Sequence, residues 1–218
     1  MRCLTECRLY GILDLAYVDK TEALRVADAL IAGGVEVIQL RGKRQSLDEL
    51  TELAGKLHQL TSPAGIPLVA NDYPEIARQV PLEAVHVGQD DLPVAEVRAA
   101  VGRSILVGKS THSLAQAAAA ASEGADYIGF GPLFATPTKP DYQPIGLRDI
   151  KQVHRDVRCP IFCIGGIKLE NLEQVVVAGA RRVVIVSGLL QASDIAQYAR
   201  EARQLLAKSE IENQKSTT

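Results

Sequence analysis

The sequence predicts a single (β/α)8 barrel, the TIM-barrel class, and two observations carry that prediction. Short apolar runs alternate with helix-period segments along the chain, which is typical of α/β proteins with a parallel sheet. There are eight such runs, the number that closes a barrel rather than leaving an open sheet. A chain of 218 residues suits one such domain and is short for two. We expect the barrel to span residues 1–208 and residues 209–218 to form a polar, disordered tail.

The predicted strands are continuous apolar runs, as expected where helices cover both sides of the chain in a parallel sheet. They are Leu9 to Leu13, Val35 to Leu40, Pro67 to Ala70, Ala84 to Val87, Ile105 to Val107, Tyr127 to Phe130, Pro160 to Ile164 and Arg182 to Val186. Three related phrases, A-G-G-V-E-V, E-G-A-D-Y-I and A-G-A-R-R-V, each join a helix end, a glycine and a strand start. This recurrence fits the repeating unit of a barrel.

The predicted helices lie between these strands and show apolar residues at helical spacing. They are Thr21 to Ala32, Leu47 to Leu60, Ser113 to Ser122, Leu169 to Ala178 and Ser193 to Ala207, with shorter ones near Pro74 to Gln79 and Pro93 to Val101. Ser46 and Glu49 form a capping-box signature before the second helix, and Gly124 is a natural end for the Ala-rich one.

Charge and hydropathy exclude several classes of function. The chain has 24 basic and 26 acidic residues, a net charge of -2, and no basic stripe, so we expect no nucleic-acid partner. The amino terminus lacks the apolar core of a signal peptide, and no apolar run is long enough to span a membrane. We therefore expect a cytoplasmic protein without a membrane partner.

Residues just past the strand ends build the active site in this fold, and here they are rich in polar and cationic types. These residues are Gln39, Arg41, Lys43, Asn71, Asp72, His86, Gln89, Asp91, Lys109, Ser110, His112, Thr136, Thr138, Lys139, Gly165, Gly166, Ser187 and Gly188. Glycines after the seventh and eighth strands let backbone N–H groups approach a phosphate. Arg41, Lys43 and Lys139 indicate a second anion site.

Asp72 and Asp91 end neighbouring predicted strands. Two carboxylates at a barrel mouth repel unless a cation lies between them, and Mg²⁺ favours one or two carboxylates together with substrate phosphates. Helix capping by either aspartate is the alternative. With two anion sites beside it, a magnesium site suits the joining of a phosphate-bearing molecule to a pyrophosphate-bearing one.

Seven motifs, in order between Tyr10 and Gln204, resemble the thiamine phosphate synthase family and its relatives, the thiazole tautomerases. They are V-I-Q-L-R-G-K, P-L-V-A-N-D, V-H-V-G-Q-D-D-L, G-K-S-T-H-S, G-A-D-Y-I-G-F-G-P-L-F-A-T-P-T-K, I-G-G-I and V-V-I-V-S-G. The resemblance implies Mg²⁺-dependent coupling of 4-amino-2-methyl-5-hydroxymethylpyrimidine pyrophosphate with a thiazole phosphate, carboxylated or not. The products would be thiamine phosphate and pyrophosphate, formed through a carbocation.

The resemblance also implies a role for each matching residue. Catalytic roles fall to Arg41, Lys43, Ser110 and Lys139, and the metal ligands are Asp72 and Asp91. Substrate contacts fall to Gln39, Arg41, Lys43, Asn71, Ser110, Thr136, Thr138, Lys139, Gly166, Val186 and Ser187. Lys109 departs from the family, which is often uncharged at that position.

Two alternatives stay open at this point. A thiazole tautomerase would use His112 as a proton shuttle, because histidine titrates near neutrality. A regulatory module would bind a thiamine precursor without catalysis. Retention of the cationic and carboxylate residues favours the synthase, since a tautomerase needs no pyrophosphate site and mere binding needs no paired metal aspartates. The sequence does not fix the oligomeric state and leaves a homodimer open.

Overall fold

The computed structural model is a closed barrel of eight parallel strands, in the ring order β1 to β8. It describes residues 3, 4, 6–138 and 142–215, with side chains up to residue 208. The strands are β1 (Leu9–Asp14), β2 (Val37–Arg41), β3 (Leu68–Asn71), β4 (Ala84–Val87), β5 (Leu106–Thr111), β6 (Tyr127–Phe130), β7 (Ile161–Cys163) and β8 (Val183–Ile185). The predicted fold class is thus confirmed, with every predicted strand in place.

Helices surround the ring within the described part of the chain. They are α1 (Ala23–Ala32), α2 (Leu47–Thr61), α3 (Val94–Val101), α4 (Leu114–Ser122), α5 (Ile150–Asp156), α6 (Leu169–Val177), α7 (Ser187–Leu190) and α8 (Ile195–Lys215), with 3-10 turns at Lys20–Glu22 and Pro74–Arg78. The capping box of Ser46 and Glu49 is present. None of the described helices is long and apolar enough to cross a membrane.

Three helical features differ from the sequence-based expectation. Helix α5 was not predicted, because its seven residues carry only two buried apolar positions, Ile150 and Val153. Helix α7 lies where only a phosphate-binding loop was expected. Helix α8 continues past residue 208 to Lys215, so the expected tail is helical over residues 209–215. Its polar residues include good helix formers such as Glu, Gln and Lys, and polarity alone does not end a helix.

The pairing of neighbouring strands is uneven around the ring. Strand β5 continues past the predicted end at Val107, because its polar residues stay paired with β6 through Thr111↔Phe130. Strands β1 and β2 share five register pairs, the last being Asp14↔Arg41. In contrast, β7 and β8 share the single pair Cys163↔Val183. The joint between β7 and β8 is therefore the shortest in the ring.

Below the mouth, the barrel interior is filled by buried side chains. Tyr10, Tyr127 and Phe162 are fully buried there, with the Phe162 ring edge-on to both tyrosines at centroid distances of 5.3 and 5.9 Å. Leu4 and Cys7, which precede β1, are buried in the same cluster. A second, larger apolar layer separates the strands from the helices. The cavity at the carboxyl ends of the strands is thus closed from below by packed side chains.

Three acidic side chains fasten pairs of strands at the opposite, amino-terminal end, and we call them strand-pair clips. Glu36, before β2, accepts from the backbone N–H of Leu9 in β1 at 3.1 Å. Glu83, before β4, accepts from Leu68 in β3 at 2.7 Å, and Asp126, before β6, accepts from Val107 in β5 at 2.7 Å. At the fourth equivalent position, before β8, the residue is Arg182.

The acid sensitivity of the fold should depend on His154 in α5. Burial, with further help from Arg181 and Arg182, lowers the pKa of His154 from 6.5 to about 4. Between these pH values the unfolded chain binds a proton that the folded chain does not, so the stability lost as pH falls from 6.5 to 4 includes this residue's contribution. We expect His154→Gln to flatten that part of a plot of melting temperature against pH, measured by circular dichroism. Above pH 7 the two curves should run parallel; an equal slope below pH 6.5 would contradict the assignment.

Candidate active site

A cavity opens at the carboxyl ends of the strands, and most of the predicted site residues line it. Its wall includes Gln39, Arg41, Asn71, Ser110, Thr136, Thr138, Gly166, Val186 and Ser187. Lys43, Asp72 and Asp91 lie outside this lining, at the rim next to Asn71. Lys139 falls outside the described residues. The parallel barrel therefore brings together, at one mouth, side chains that are far apart in the sequence.

A chain of buried polar side chains forms the floor of the cavity. The Gln39 amide donates to the Tyr10 hydroxyl at 2.7 Å, and the Tyr10 and Tyr127 hydroxyls interact in turn. Tyr127 lies 3.3 Å from His86 Nδ1, and His86 Nε2 lies 2.9 Å from Ser110 Oγ. Burial raises the pKa of both tyrosines above the ordinary value, so they stay neutral hydrogen-bonding groups. This network fixes Gln39 and Ser110 from below.

Gly108 makes room for that network. A Cβ atom at this position would lie 2.2 Å from the Tyr127 ring and 2.6 Å from His86 Nδ1. Real carbon atoms do not approach so closely, so any larger residue would displace the two rings. The glycine before Lys109 and Ser110 is therefore required by packing, independently of chain flexibility.

Arg41 is held in place by a buried carboxylate. Its guanidinium forms an ion pair with Asp14, whose side chain is only 1% exposed. The other Asp14 oxygen accepts from the backbone N–H of Ala16 at 3.0 Å. Asp14 is absent from the predicted site residues, which begin at the end of the second strand. Its position at the end of β1, in register with Arg41, is the signal that would have indicated it.

The two predicted metal ligands face each other at the rim. Burial raises the pKa of Asp72, the ion pair with Lys43 opposes this rise, and the neighbouring Asp91 carboxylate adds to it. Asp91 is anchored separately, because its Oδ2 accepts from the backbone N–H of Gly88 at 2.7 Å. Among the described residues no group of three or more potential metal-ligating side chains exists. In the described part of the chain the site is thus a carboxylate pair in which the Lys43 ammonium lies against Asp72.

The backbone at Asp72 is itself unusual. Its φ angle is 67°, and it is the one non-glycine residue with a positive φ that the structure records. Such left-handed residues cost roughly 1–3 kcal/mol and persist where the surroundings fix them. The backbone N–H of Asp72 donates to the His86 carbonyl at 2.8 Å. The chain therefore accepts local strain to direct this carboxylate towards Asp91.

The loops after β6, β7 and β8 form the opposite side of the cavity. Gly165 and Gly166 have φ angles of 97° and 65°, and a Cβ atom on Gly166 would lie 2.7 Å from the Ala135 carbonyl. These glycines let the β7 loop pack directly under the loop that carries Thr136 and Thr138. The Asn171 side-chain amide donates to the Gly166 carbonyl at 2.8 Å.

Two further predicted residues take distinct positions. His112 lines the cavity; its Nδ1 donates to the Gly131 carbonyl, and its ring packs against Tyr142 at a centroid distance of 4.5 Å and a tilt of 47°. Lys109 points the other way, towards α4, where it is 6% exposed and lines a separate cavity with Gln89, Asp91 and Gln116. Lys109 is therefore not part of the central cavity.

The fold and this mouth define a barrel enzyme whose active site lies at the carboxyl ends of its strands. The sequence profile described as thiamine monophosphate synthase, TMP-TENI, matches residues 9–189. The thiamine-phosphate synthase of Chloroflexus aurantiacus is 41% identical over 94% of both chains. That of Halalkalibacterium halodurans is 40% identical over 88% of this chain and 92% of its own. The structure of thiamine phosphate pyrophosphorylase from Pyrococcus furiosus superposes with a TM-score of 0.86, at 27% identity, covering 94% of this chain and 98% of that one.

The chain therefore belongs to the thiamine phosphate synthase family, a family of transferases in thiamine biosynthesis. The resemblance drawn from the sequence motifs is confirmed by these similarities along nearly the whole chain.

Proposed function

We propose that the protein couples a pyrimidine methyl pyrophosphate to a thiazole monophosphate, releasing pyrophosphate and forming thiamine phosphate. The observation that carries this proposal is the pairing of two different anion-binding sides in one cavity. Arg41, Asn71 and Ser110 lie on one side with the carboxylate pair at the rim, while the threonines and glycines lie on the other. A reaction that joins two phosphate-bearing molecules needs both sides, and the names of the relatives support the same conclusion.

The side nearest β2 and β3 suits the pyrophosphate. Arg41 offers a guanidinium already oriented by Asp14, and planar guanidinium groups bind phosphate oxygens in a bidentate manner. Lys43 is half-exposed and pairs with Asp72, so it can turn to an incoming anion. The resemblance places Lys139 on the same anion. These cations would stabilise the negative charge that grows on the leaving group.

The carboxylate pair fits Mg²⁺. Two carboxylates in contact, one with a raised pKa, are relieved by a divalent cation between them. Mg²⁺ typically takes one or two protein carboxylates and completes its octahedron with water and substrate phosphate oxygens, which agrees with a two-ligand rather than a closed site. Asp72 and Asp91 would hold the ion, and the ion when bound would neutralise pyrophosphate oxygens.

The side nearest β6, β7 and β8 suits the monophosphate. Backbone N–H groups at Gly166 and Ser187 and the hydroxyls of Thr136 and Thr138 are the donor types that bind phosphate in barrels of this class. Gln39 and Ser110, fixed from below by the tyrosines and His86, lie between the two sides. They would orient the pyrimidine, so that its methylene carbon faces the thiazole nitrogen.

The chemistry then follows from positioning and charge. The bond between the methylene carbon and the pyrophosphate oxygen breaks, and pyrophosphate leaves with the electron pair. The carbocation that remains is stabilised by the pyrimidine, and the thiazole nitrogen attacks it with its lone pair to form the new C–N bond. No proton transfer is required, so the residues of this chain orient the two substrates and stabilise the departing anion.

The carboxylate pair also favours this function over a thiazole tautomerase. His112 has the position of a proton shuttle, yet an isomerase of a single monophosphate gains nothing from Asp72, Asp91 and Lys43 at the rim. A regulatory binding module likewise needs no carboxylate pair directed by a strained backbone. A coupling assay with both substrates and Mg²⁺ distinguishes these functions. Formation of thiamine phosphate supports the synthase; its absence, with substrates bound, would contradict the proposal.

Loss of one cation at the pyrophosphate side should slow turnover. We expect Arg41→Ala and Lys139→Ala each to lower kcat by about a hundredfold to a thousandfold, the scale for losing one preorganised charge-stabilising group. Arg44→Ala is the matched control, because Arg44 is exposed in the loop that follows Arg41. Turnover should be followed by pyrophosphate release. A variant with near-normal turnover would remove that residue from the mechanism.

Neutralising either rim carboxylate should weaken metal binding. We expect Asp72→Asn and Asp91→Asn to raise the Mg²⁺ concentration for half-maximal rate by at least about tenfold, since even outer-shell partners of a metal cost roughly ten- to hundredfold. Asp90→Asn, at the exposed neighbouring position, is the control and should bind metal normally. Electron paramagnetic resonance of Mn²⁺ with pyrophosphate gives a readout independent of turnover. Unchanged Mn²⁺ affinity in both variants would exclude the pair as ligands.

A further inference from the structure

One hydrogen bond crosses the mouth of the barrel from the β1 loop to the β6 loop. The Tyr17 hydroxyl lies 2.9 Å from Thr138 Oγ1, although β1 and β6 are not neighbours in the ring. Tyr17 is not among the residues that the family motifs indicate. Its ring is partly buried against the outer apolar layer, so its hydroxyl is held at a defined point above the cavity.

The loop that presents Tyr17 is itself anchored. The Tyr17 backbone N–H donates to the Asp14 carbonyl at 2.9 Å, and the Asp14 side chain accepts from Ala16 within the same turn. Asp14 also forms the ion pair with Arg41. A single buried residue thus fixes a cation on one side of the cavity and, through Tyr17, a threonine on the other.

The hydrogen-bonding capacity of threonine gives this contact a consequence. A hydroxyl has one hydrogen to donate and two lone pairs to accept with. Thr136 Oγ1 already accepts from the Thr138 backbone N–H at 3.3 Å. If Tyr17 donates to Thr138, both threonine oxygens accept from the protein, and both keep their own hydrogens for a ligand in the cavity.

We propose that Tyr17 is a positioning residue that orients the Thr138 hydroxyl towards the monophosphate of the thiazole substrate. This inference rests on the proposed function, which gives Thr138 a phosphate to bind. Orientation before binding reduces the entropy lost when the substrate is ordered. Tyr17 therefore affects the binding affinity for the thiazole phosphate and leaves the rate of the chemical step unchanged.

A double-mutant cycle with Tyr17→Phe and Thr138→Val tests this inference. We expect Tyr17→Phe to weaken binding of the thiazole phosphate about three- to tenfold, the range for one net hydrogen bond, in calorimetry and in KM. The KM for the pyrimidine pyrophosphate and kcat with both substrates saturating should stay within about twofold. In the Thr138→Val background, removal of the Tyr17 hydroxyl should have no further effect, because its partner is gone.

Tyr73→Phe is the matched control, since it also deletes one hydroxyl from a partly buried tyrosine and should bind both substrates normally. Additive losses in the cycle, unchanged binding in Tyr17→Phe or tighter binding would each overturn the inference. A normal melting temperature in Tyr17→Phe, together with weaker thiazole phosphate binding, supports positioning over a structural role. If the wild-type protein itself fails to bind thiazole phosphate, the proposed function fails instead, and the two failures are thereby distinguished.

Discussion

The common direction of the eight strands is the constraint on which the site depends. Because all of them end on the same face of a closed ring, the polar residues that follow each strand meet at one mouth. Such crowding of charge is costly unless charges are compensated. The protein pairs them locally, Arg41 with Asp14 and Lys43 with Asp72. The Asp72 and Asp91 carboxylates nevertheless stay in contact, and in our proposal Mg²⁺ would add further positive charge there.

The packed interior of the barrel also positions the side chains that line the cavity. Tyr10 and Tyr127 are core residues by burial, yet their hydroxyls reach the groups that line the cavity. Gly108 is small because two rings need its space. Stability and substrate orientation thus draw on the same side chains, and a substitution made for the sake of the core would be expected to alter the cavity as well.

The spacing of apolar residues and the positions of the predicted strand ends were sufficient to predict the barrel and most of the cavity wall. This is because all strands of a parallel barrel must end at the same mouth. What they missed depended on three-dimensional contacts. Asp14 acquires its role from register with Arg41, and Tyr17 from a bond that crosses the mouth. Lys109 lies at a predicted strand end and was therefore expected at the mouth, but its side chain lies on the outer face of β5. Helix α5 is too short for periodicity to distinguish it from a loop.

Among the four alternate joints β1–β2, β3–β4, β5–β6 and β7–β8, only the last has no strand-pair clip in the described part of the chain. Glu36, Glu83 and Asp126 each tie a strand to the one before it, whereas Arg182 stands before β8 and the β7–β8 joint has a single register pair. The loops that follow these two strands carry Gly166 and Ser187. A phosphate group bound by both loops would connect β7 to β8, the two strands with the shortest pairing in the ring. Phosphate binding would then stabilise the closed barrel, and the closed barrel would in turn favour phosphate binding.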